Sequence, residues 1–231
     1  MSFKYPVFPF LVRRLGRVSV IFMLLIVLGL GAALALGDGE LVTLVHFSSW
    51  VQGHYELVRA ITDYGLYPFY AVFVVMLVYG LARNEPWLKL MAMAYVLAQL
   101  LGSVAVVRAM KMAFGRARPD ASTLPGFESQ WIGFTWDAKF HSFPSGHTAD
   151  IVTSAVFMAL MIRSPWAAGL FMAWAVFLAI TRLALAKHYP TDAVVGAAIA
   201  LAACYLVVRY WLTPRLERPP PFPVPRWWQG G

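Results

Sequence analysis

Three short polar fragments interrupt an otherwise apolar chain, and their residue types suit the binding of an anion. Charged and imidazole groups are costly near a membrane, so they are usually retained there for function. The first fragment, residues 111–119, carries a lysine and an arginine seven positions apart. Seven residues are close to two helical turns, so Lys111 and Arg118 share a face if the helix continues that far. Both side chains could then hold one anion.

The other two fragments stand where helices should begin. Residues 144–147 read Pro-Ser-Gly-His. Ser145 can cap a helix whose free backbone N–H groups bind an anion, and Gly146 lets that anion approach closely. Residues 181–192 cross the turn before the last apolar run, and Pro190 suits the first turn of the helix that follows.

The composition indicates that a bilayer surrounds these fragments. Hydrophobic residues make up 60% of the 231 positions and charged residues only 13%, which is too apolar for an ordinary soluble domain. Four uncharged runs approach the ~20 residues that a helix needs to cross a membrane, and two weaker runs each carry one acid near the start. The strong runs are 18–37, 66–82, 90–107 and 164–181, and the weaker ones are 145–162 and 191–208. We therefore predict an all-α integral membrane protein, a bundle of six transmembrane helices.

Helix order provides an independent argument for one site. With six spans, the third helix ends, the fourth begins, the fifth ends and the sixth begins on the same side of the membrane. The three polar fragments are therefore expected to converge near one interface. If these polar residues were incidental, they would be expected equally on both sides of the membrane.

The spacing of these fragments resembles the type 2 phosphatidic acid phosphatase superfamily. Lysine, six residues and Arg-Pro are followed by Pro-Ser-Gly-His, and then by arginine, five residues, histidine, three residues and aspartate. The match covers residues 111–192, and the six-span layout extends it to most of the chain. Thr181 stands where the family usually has serine, and it keeps a hydroxyl.

The resemblance implies specific roles for eight residues. His188 would attack phosphorus, Asp192 would orient it, and His147 would protonate the leaving oxygen. A carboxylate on the other imidazole nitrogen selects the tautomer of a nucleophilic histidine, which is consistent with these roles. The residues that would hold the phosphate are Lys111, Arg118, Ser145, Gly146 and Arg182. No cofactor and no metal are then required, and the five histidines form no recognised metal-ligand motif.

The expected function is metal-independent hydrolysis of a phosphorylated lipid through a phosphohistidine. Polyprenyl (undecaprenyl) pyrophosphate is the preferred substrate, by family analogy alone. Phosphatidic acid, phosphatidylglycerophosphate and lipid A phosphate are the alternatives, and transfer of the phosphoryl group to an alcohol is a second reading. An anion transporter would leave the spacing of His147, His188 and Asp192 unexplained, and the chain offers no inverted repeat.

Charge distribution predicts the orientation in the membrane. The net charge is +8, yet the basic residues are scattered among apolar runs and no nucleic-acid-binding module is present. Eleven of the 19 basic residues fall on the side of the termini. With the three phosphate ligands set aside, only five remain on the other side, so the positive-inside rule places the termini in the cytoplasm. The active site would then be periplasmic or extracellular, in what we expect to be a bacterial inner membrane.

The remaining segments are expected to be peripheral. Residues 38–65 mix apolar and charged positions, which predicts one or two interfacial amphipathic helices that connect spans or, alternatively, form a lid. Arg116 is either a ligand for a second phosphate or headgroup, or a solvated charge. The transmembrane phosphatase domain is assigned to residues 1–213 and a proline-rich cytoplasmic tail to residues 214–231.

Overall fold

The structure, a computed structural model, describes residues 7–121 and 130–216. In these residues no β-strand forms and eleven α-helices follow one another. They are α1 (Val7–Leu36), α2 (Asp38–His46), α3 (Ser49–Gly53), α4 (Tyr55–Tyr64), α5 (Tyr67–Ala82), α6 (Pro86–Gln99), α7 (Arg108–Phe114), α8 (Gly146–Met161), α9 (Pro165–Ala184), α10 (Pro190–Leu206) and α11 (Thr213–Leu216). Two π-helical turns, Leu100–Val107 and Val207–Leu212, continue α6 and α10.

Local sequence accounts for the starts of five of the helices. Proline occupies the first turn of α5, α6, α9 and α10, where its missing N–H is not needed. The hydroxyls of Ser145 and Ser164 accept hydrogen bonds from the first turns of α8 and α9. The predicted roles of Ser145 as a cap and of Pro190 as a first-turn residue are both confirmed.

Five helical stretches within the described residues are long and apolar enough to cross a bilayer. They are Arg13–Leu36, Tyr55–Ala82, Pro86–Phe114, Pro165–Ala184 and Pro190–Leu216. The prediction of an all-α, multi-pass integral membrane protein is confirmed. The apolar helix α8 has 16 residues, or about 24 Å of helix, which is short of a hydrocarbon core of about 30 Å. Six crossings therefore remain a prediction.

Helix α8 lies at the centre of the bundle and packs most extensively against α9 and α10. Residues 151–160 are all buried, and they include the polar Thr153 and Ser154. Because α8 contacts protein rather than lipid on every side, its sequence does not need a continuous apolar surface. This position explains why its hydropathy signal is weaker than that of the outer helices.

The segment from residue 38 to residue 65 forms three short helices, where we predicted one or two. Helix α4 runs on into α5, so the two are counted as a single span, Tyr55–Ala82. Val42 of α2 packs against Ala186 and Tyr189 in the turn between α9 and α10. The segment therefore supports the turn that carries His188.

A loop follows α7, so the helix does not continue as far as a shared face of Lys111 and Arg118 would require. Helix α7 ends at Phe114 because Gly115 adopts φ 56°, a left-handed conformation that favours glycine. A Cβ atom on Gly115 would lie 2.1 Å from the carbonyl oxygen of Gly133, which packs there as the loop returns. Lys111 and Arg118 thus do not share a helical face, and the loop rather than a helix brings Arg118 to the site.

The last described helix, α11, ends at Leu216, which is buried. The predicted proline-rich tail begins two residues earlier, at residue 214. Its residues 217–231 lie outside the described part of the chain.

Candidate active site

The three polar fragments meet at one end of the bundle. Lys111 interacts electrostatically with Arg118 and Arg182, and His188 does so with Lys111 and Arg182. His147 lies within electrostatic range of Arg182 and His188. A Cβ atom on Gly146 would lie 3.8 Å from Cε of Lys111. The structure therefore brings together all eight residues named from the sequence, namely Lys111, Arg118, Ser145, Gly146, His147, Arg182, His188 and Asp192.

Close backbone packing fixes the start of α8. The backbone N–H of Ser145 donates to the carbonyl oxygen of Asp192 at 2.9 Å. The Ser145 hydroxyl accepts from the backbone N–H of Thr148 at 3.3 Å and from its hydroxyl at 3.0 Å. A Cβ atom on Gly196 would lie 2.3 Å from the Ser145 carbonyl oxygen. The first turns of α8 and α10 are therefore held in register, and the N-terminus of α8 is placed to bind an anion.

Three cations line the site and repel one another. Nζ of Lys111 donates to the carbonyl oxygen of His141 at 2.6 Å, and Nε of Arg118 donates to that of Ala138 at 3.2 Å. Each of these two side chains keeps further N–H donors. Like charges held together in a poorly solvated site are unfavourable unless an anion joins them. A phosphate dianion has the charge and the acceptor oxygens that this cluster suits.

The His188 imidazole is buried, and its orientation is fixed. Nδ1 lies 2.8 Å from the carbonyl oxygen of Ser142. Because a carbonyl oxygen only accepts, Nδ1 carries the proton and Nε2 holds the lone pair. Burial lowers the pKa of His188 to about 4, although the nearby Asp192 carboxylate opposes the shift. The imidazole is therefore neutral at pH 7, which is the form that a nucleophile requires.

Asp192 is fully buried and has several partners. Its Oδ2 lies 3.6 Å from Nδ1 of His188, beyond the length of a good hydrogen bond. The same oxygen accepts from the Ser142 hydroxyl at 2.5 Å and from the Tyr189 backbone N–H at 2.9 Å. The predicted pair of His188 and Asp192 is thus completed by Ser142, whose hydroxyl contacts the acid and whose carbonyl contacts the imidazole.

Two site groups are buried without a hydrogen-bond partner in residues 7–121 and 130–216. They are Nε2 of His147 and Nε of Arg182. Unpaired buried polar atoms are rare in folded proteins and usually mark a functional site. A phosphate oxygen would provide an acceptor for the arginine, and a leaving oxygen would provide one for a protonated His147.

The Thr181 hydroxyl, which stands where the resemblance expects serine, donates to the carbonyl oxygen of Leu178 at 2.8 Å. It is 3% exposed and lies within the last two turns of α9. Its hydrogen-bonding capacity as a donor is therefore used inside its own helix.

Two residues that the sequence did not identify, Ser142 and Asp38, surround the predicted site together with Arg116, for which the sequence predicted another role. Ser142 contacts both His188 and Asp192, as described above. Arg116 is 4% exposed and binds the second carboxylate oxygen of Asp192, so it is neither solvated nor open to a surface anion. Asp38, at the start of α2, binds Arg116. A buried arginine beside a predicted catalytic aspartate leaves no local sequence signal, because the contact joins residues 76 positions apart.

Within the described residues, no group of three or more His, Cys, Asp or Glu side chains is placed so that it could bind a metal ion. Independence from metal remains a prediction.

Comparison with known proteins gives a family match and several relatives. The model of the PAP2 superfamily matches residues 87–215. The chain is 36% identical to a lipid A 1-phosphatase of Rhizobium etli over 105 residues, which cover 46% of this chain and 44% of the relative. It is 31% identical to a lipid A 4'-phosphatase of Bacteroides thetaiotaomicron over 154 residues, which cover 64% of this chain and 67% of the relative.

A lipid A 1-phosphatase of Porphyromonas gingivalis is 29% identical over 140 residues, which cover 60% of this chain and 27% of the relative. The chain thus spans less than half the length of each of the lipid A 1-phosphatases that it resembles. No solved structure matches it. The family match agrees with the resemblance that the motif spacing indicates.

Proposed function

Because the chain belongs to the PAP2 superfamily, we propose that it is a membrane phosphatase that hydrolyses a lipid phosphate through a phosphohistidine on His188. The observation that carries this proposal is the state of that imidazole. It is buried, it is hydrogen-bonded through Nδ1 to a carbonyl oxygen, and it lies beside a cluster of cations. Its lone pair on Nε2 is therefore available next to a site that favours phosphate.

The proposed reaction has two steps. Nε2 of His188 attacks phosphorus and the bond to the lipid oxygen breaks. His147, which takes up a proton when the phosphate dianion binds beside it, gives that proton to the lipid oxygen. Water then attacks the phosphohistidine, His147 takes a proton from the water, and inorganic phosphate and the neutral imidazole are released. Asp192 stabilises the positive charge that His188 acquires in the first step.

The phosphate is held by side chains and by the backbone at the start of α8. Lys111, Arg118 and Arg182 bind the three oxygens whose charge is redistributed in the transition state, and Ser145 and Gly146 complete the cradle. The cations repel one another in the free protein, so a phosphate relieves that repulsion as well as forming hydrogen bonds. No step in this scheme needs a metal.

The relatives suggest which lipid is the substrate. The names of the relatives described above all refer to lipid A phosphatases, so a lipid A phosphate monoester becomes the leading candidate. Polyprenyl pyrophosphate, which we preferred from the motifs alone, is the competing candidate. We place the site on the extracytoplasmic face of a bacterial inner membrane, with the termini in the cytoplasm, because of the distribution of basic residues.

The proposal is tested by phosphate release from the purified protein in detergent and chelator. Lipid A, polyprenyl pyrophosphate, phosphatidic acid and phosphatidylglycerophosphate are compared for wild type and His188→Ala. Lys89→Gln is the control, because Lys89 lies in the first turn of α6, 22 residues before Lys111, and its ammonium donates to the Asn84 side chain at 2.8 Å. We expect release with wild type and the control and none with His188→Ala. Loss of wild-type activity in chelator, restored by a divalent metal, would refute the metal-free mechanism.

A further inference from the structure

Arg116 joins two carboxylates that are far apart in the sequence. Its Nη1 donates to Oδ1 of Asp192 at 2.6 Å, and its Nη2 donates to Oδ2 of Asp38 at 2.7 Å. The side chains of Arg116, Asp192 and Asp38 are 5%, 0% and 17% exposed. The guanidinium therefore binds both acids in a largely water-free environment, where such pairs have strong effects.

The same guanidinium is held by groups at the start of α10. It lies over the Tyr189 ring, with Cζ 3.9 Å from the ring centroid. Nη1 also donates to the Thr191 hydroxyl at 2.8 Å. That hydroxyl donates to Asp38, and the Thr191 backbone N–H donates to Oδ1 of Asp38 at 3.1 Å. Asp38 thus acts on the first turn of α10 from outside that helix.

This network has a direct consequence for the imidazole of His188. Asp192 has two oxygens with separate tasks: Oδ1 binds Arg116, and Oδ2 binds the hydroxyl of Ser142, whose carbonyl oxygen holds His188. A buried carboxylate without a cation would be costly and would rotate away from its partners. Arg116 prevents this rotation, and Asp38 holds the second amino group of the guanidinium.

We propose that Arg116 and Asp38 are positioning residues for the reaction, which fix the Asp192 carboxylate and, through it and Ser142, the orientation of His188. The inference rests on the proposed function, because it needs His188 to be the nucleophile. It assigns a task to α2, whose first residue is Asp38. It also removes Arg116 from the residues that contact substrate, since two carboxylates and a tyrosine ring surround its guanidinium.

The first test is steady-state kinetics of Arg116→Gln and Asp38→Asn. Both variants remove a charge; Asp38→Asn keeps the side-chain volume, whereas Arg116→Gln also shortens the side chain. Arg59→Gln is the matched control, because Arg59 also contacts two acids, Glu56 and Asp63, but is 59% exposed. We expect Arg116→Gln to lower kcat by about 10- to 100-fold, the loss that is typical when a partner that orients a metal-bound histidine is removed. KM should change little because the phosphate ligands are intact, and Arg59→Gln should match wild type.

A second readout separates positioning from a structural role. The charged groups around His188 are Asp192 of α10, Lys111 of α7 and Arg182 of α9, with His147 of α8 nearby. Removing Arg116 leaves the Asp192 charge unopposed, so the acid limb of kcat/KM should move to higher pH. Removing Asp38 leaves Arg116 paired with Asp192 alone, so the Asp192 charge is compensated more fully and that limb should not rise. A structural defect would not produce this difference between the two variants.

Each outcome decides the question. Wild-type kcat and an unshifted acid limb in folded Arg116→Gln would overturn the inference, with folding judged from the thermal transition in detergent. If Arg116→Gln does not fold, Asp38→Asn decides, and wild-type kcat there would also overturn it. If wild type itself releases no phosphate from any of the lipids, the proposed function fails instead. When wild type is active, the proposed function stands, and the inference alone fails if the folded variant that decides the test matches wild type.

Discussion

The carbonyl oxygen of Ser142 lies 2.8 Å from Nδ1 of His188 and determines which nitrogen of that imidazole carries the proton. A backbone carbonyl cannot be removed by substitution of its side chain, so the tautomer is a property of the fold. The Ser142 hydroxyl meanwhile donates to Asp192 at 2.5 Å. One residue therefore links the predicted nucleophile to the acid that supports it.

Substitution of Ser142 by alanine should slow the reaction without removing it. The carbonyl contact to His188 remains, but Asp192 loses a hydrogen bond of the charge-assisted kind, which is worth about 1.5–3 kcal/mol. We expect kcat to fall by about tenfold to a hundredfold, to be measured with the lipid that wild type prefers. Ser164→Ala is the control, because Ser164 caps α9 at the opposite end from the site. Equal kcat for the two variants would show that the Ser142 hydroxyl is not used.

The pH dependence should reflect the burial of His188. An exposed histidine has a pKa of about 6.5, whereas that of His188 is lowered to about 4. The neutral nucleophile should therefore persist as the pH falls through 6, and kcat/KM should decline only as the pH approaches 4. Stability should follow the same sign, being fully present above about 6.5 and lost as the pH falls towards 4.

The measurement is kcat/KM from pH 4 to pH 8, corrected for the separately titrated substrate, whose phosphate ionises near pH 6. Thermal unfolding of wild type and His188→Ala over the same range checks the stability effect. A corrected acid limb centred near pH 6.5 would contradict the burial of the nucleophile.

The contact between Gly196 and the start of α8 predicts a steric effect. A methyl group on Gly196 would lie 2.3 Å from the Ser145 carbonyl oxygen, so Gly196→Ala must push the first turns of α8 and α10 apart. Such overpacking costs about 1–3 kcal/mol and would displace the phosphate cradle. We expect a lower melting temperature and a higher KM.

Gly169→Ala is the control for Gly196→Ala, since no atom beyond the neighbouring residues and backbone of its own helix lies within 4 Å of a Cβ at Gly169, in the second turn of α9. Alanine there should leave activity unchanged and favour the helix slightly. An unchanged melting temperature and KM for Gly196→Ala would mean that the two helices can separate at no cost.

Removal of the Thr181 hydroxyl, in contrast to the substitutions above, should have little effect on catalysis. Because this hydroxyl donates to Leu178 within α9, its loss in Thr181→Val should change kcat and KM by less than about fivefold, since the bond that is lost is worth only about 1 kcal/mol. Kinetics with the preferred lipid would show this. A loss comparable to that of a phosphate-binding residue such as Arg182 would mean that the hydroxyl turns towards the substrate.

The sequence predicted the fold and the members of the site because those features leave local patterns. Uncharged runs indicated the spans, and Ser145 and Pro190 marked helix starts. The loop from Gly115 was not predicted, since the position of Gly133 depends on how the chain returns. The contacts of Arg116 and Asp38 also escaped prediction. Arg116 contacts Asp192, and Asp38 contacts Arg116 and Thr191. These contacts depend on the packing of α2 against α10, and such packing between distant segments leaves no periodicity in the sequence.

The most direct test of the central claim is to trap and locate the phosphoenzyme. Wild type and His188→Ala are mixed with lipid labelled in its phosphate, quenched in alkali, which preserves phosphohistidine, and digested for mass spectrometry. The account predicts label on His188 in wild type and no label and no turnover in the variant. Label on another residue, or turnover that persists in His188→Ala, would contradict it.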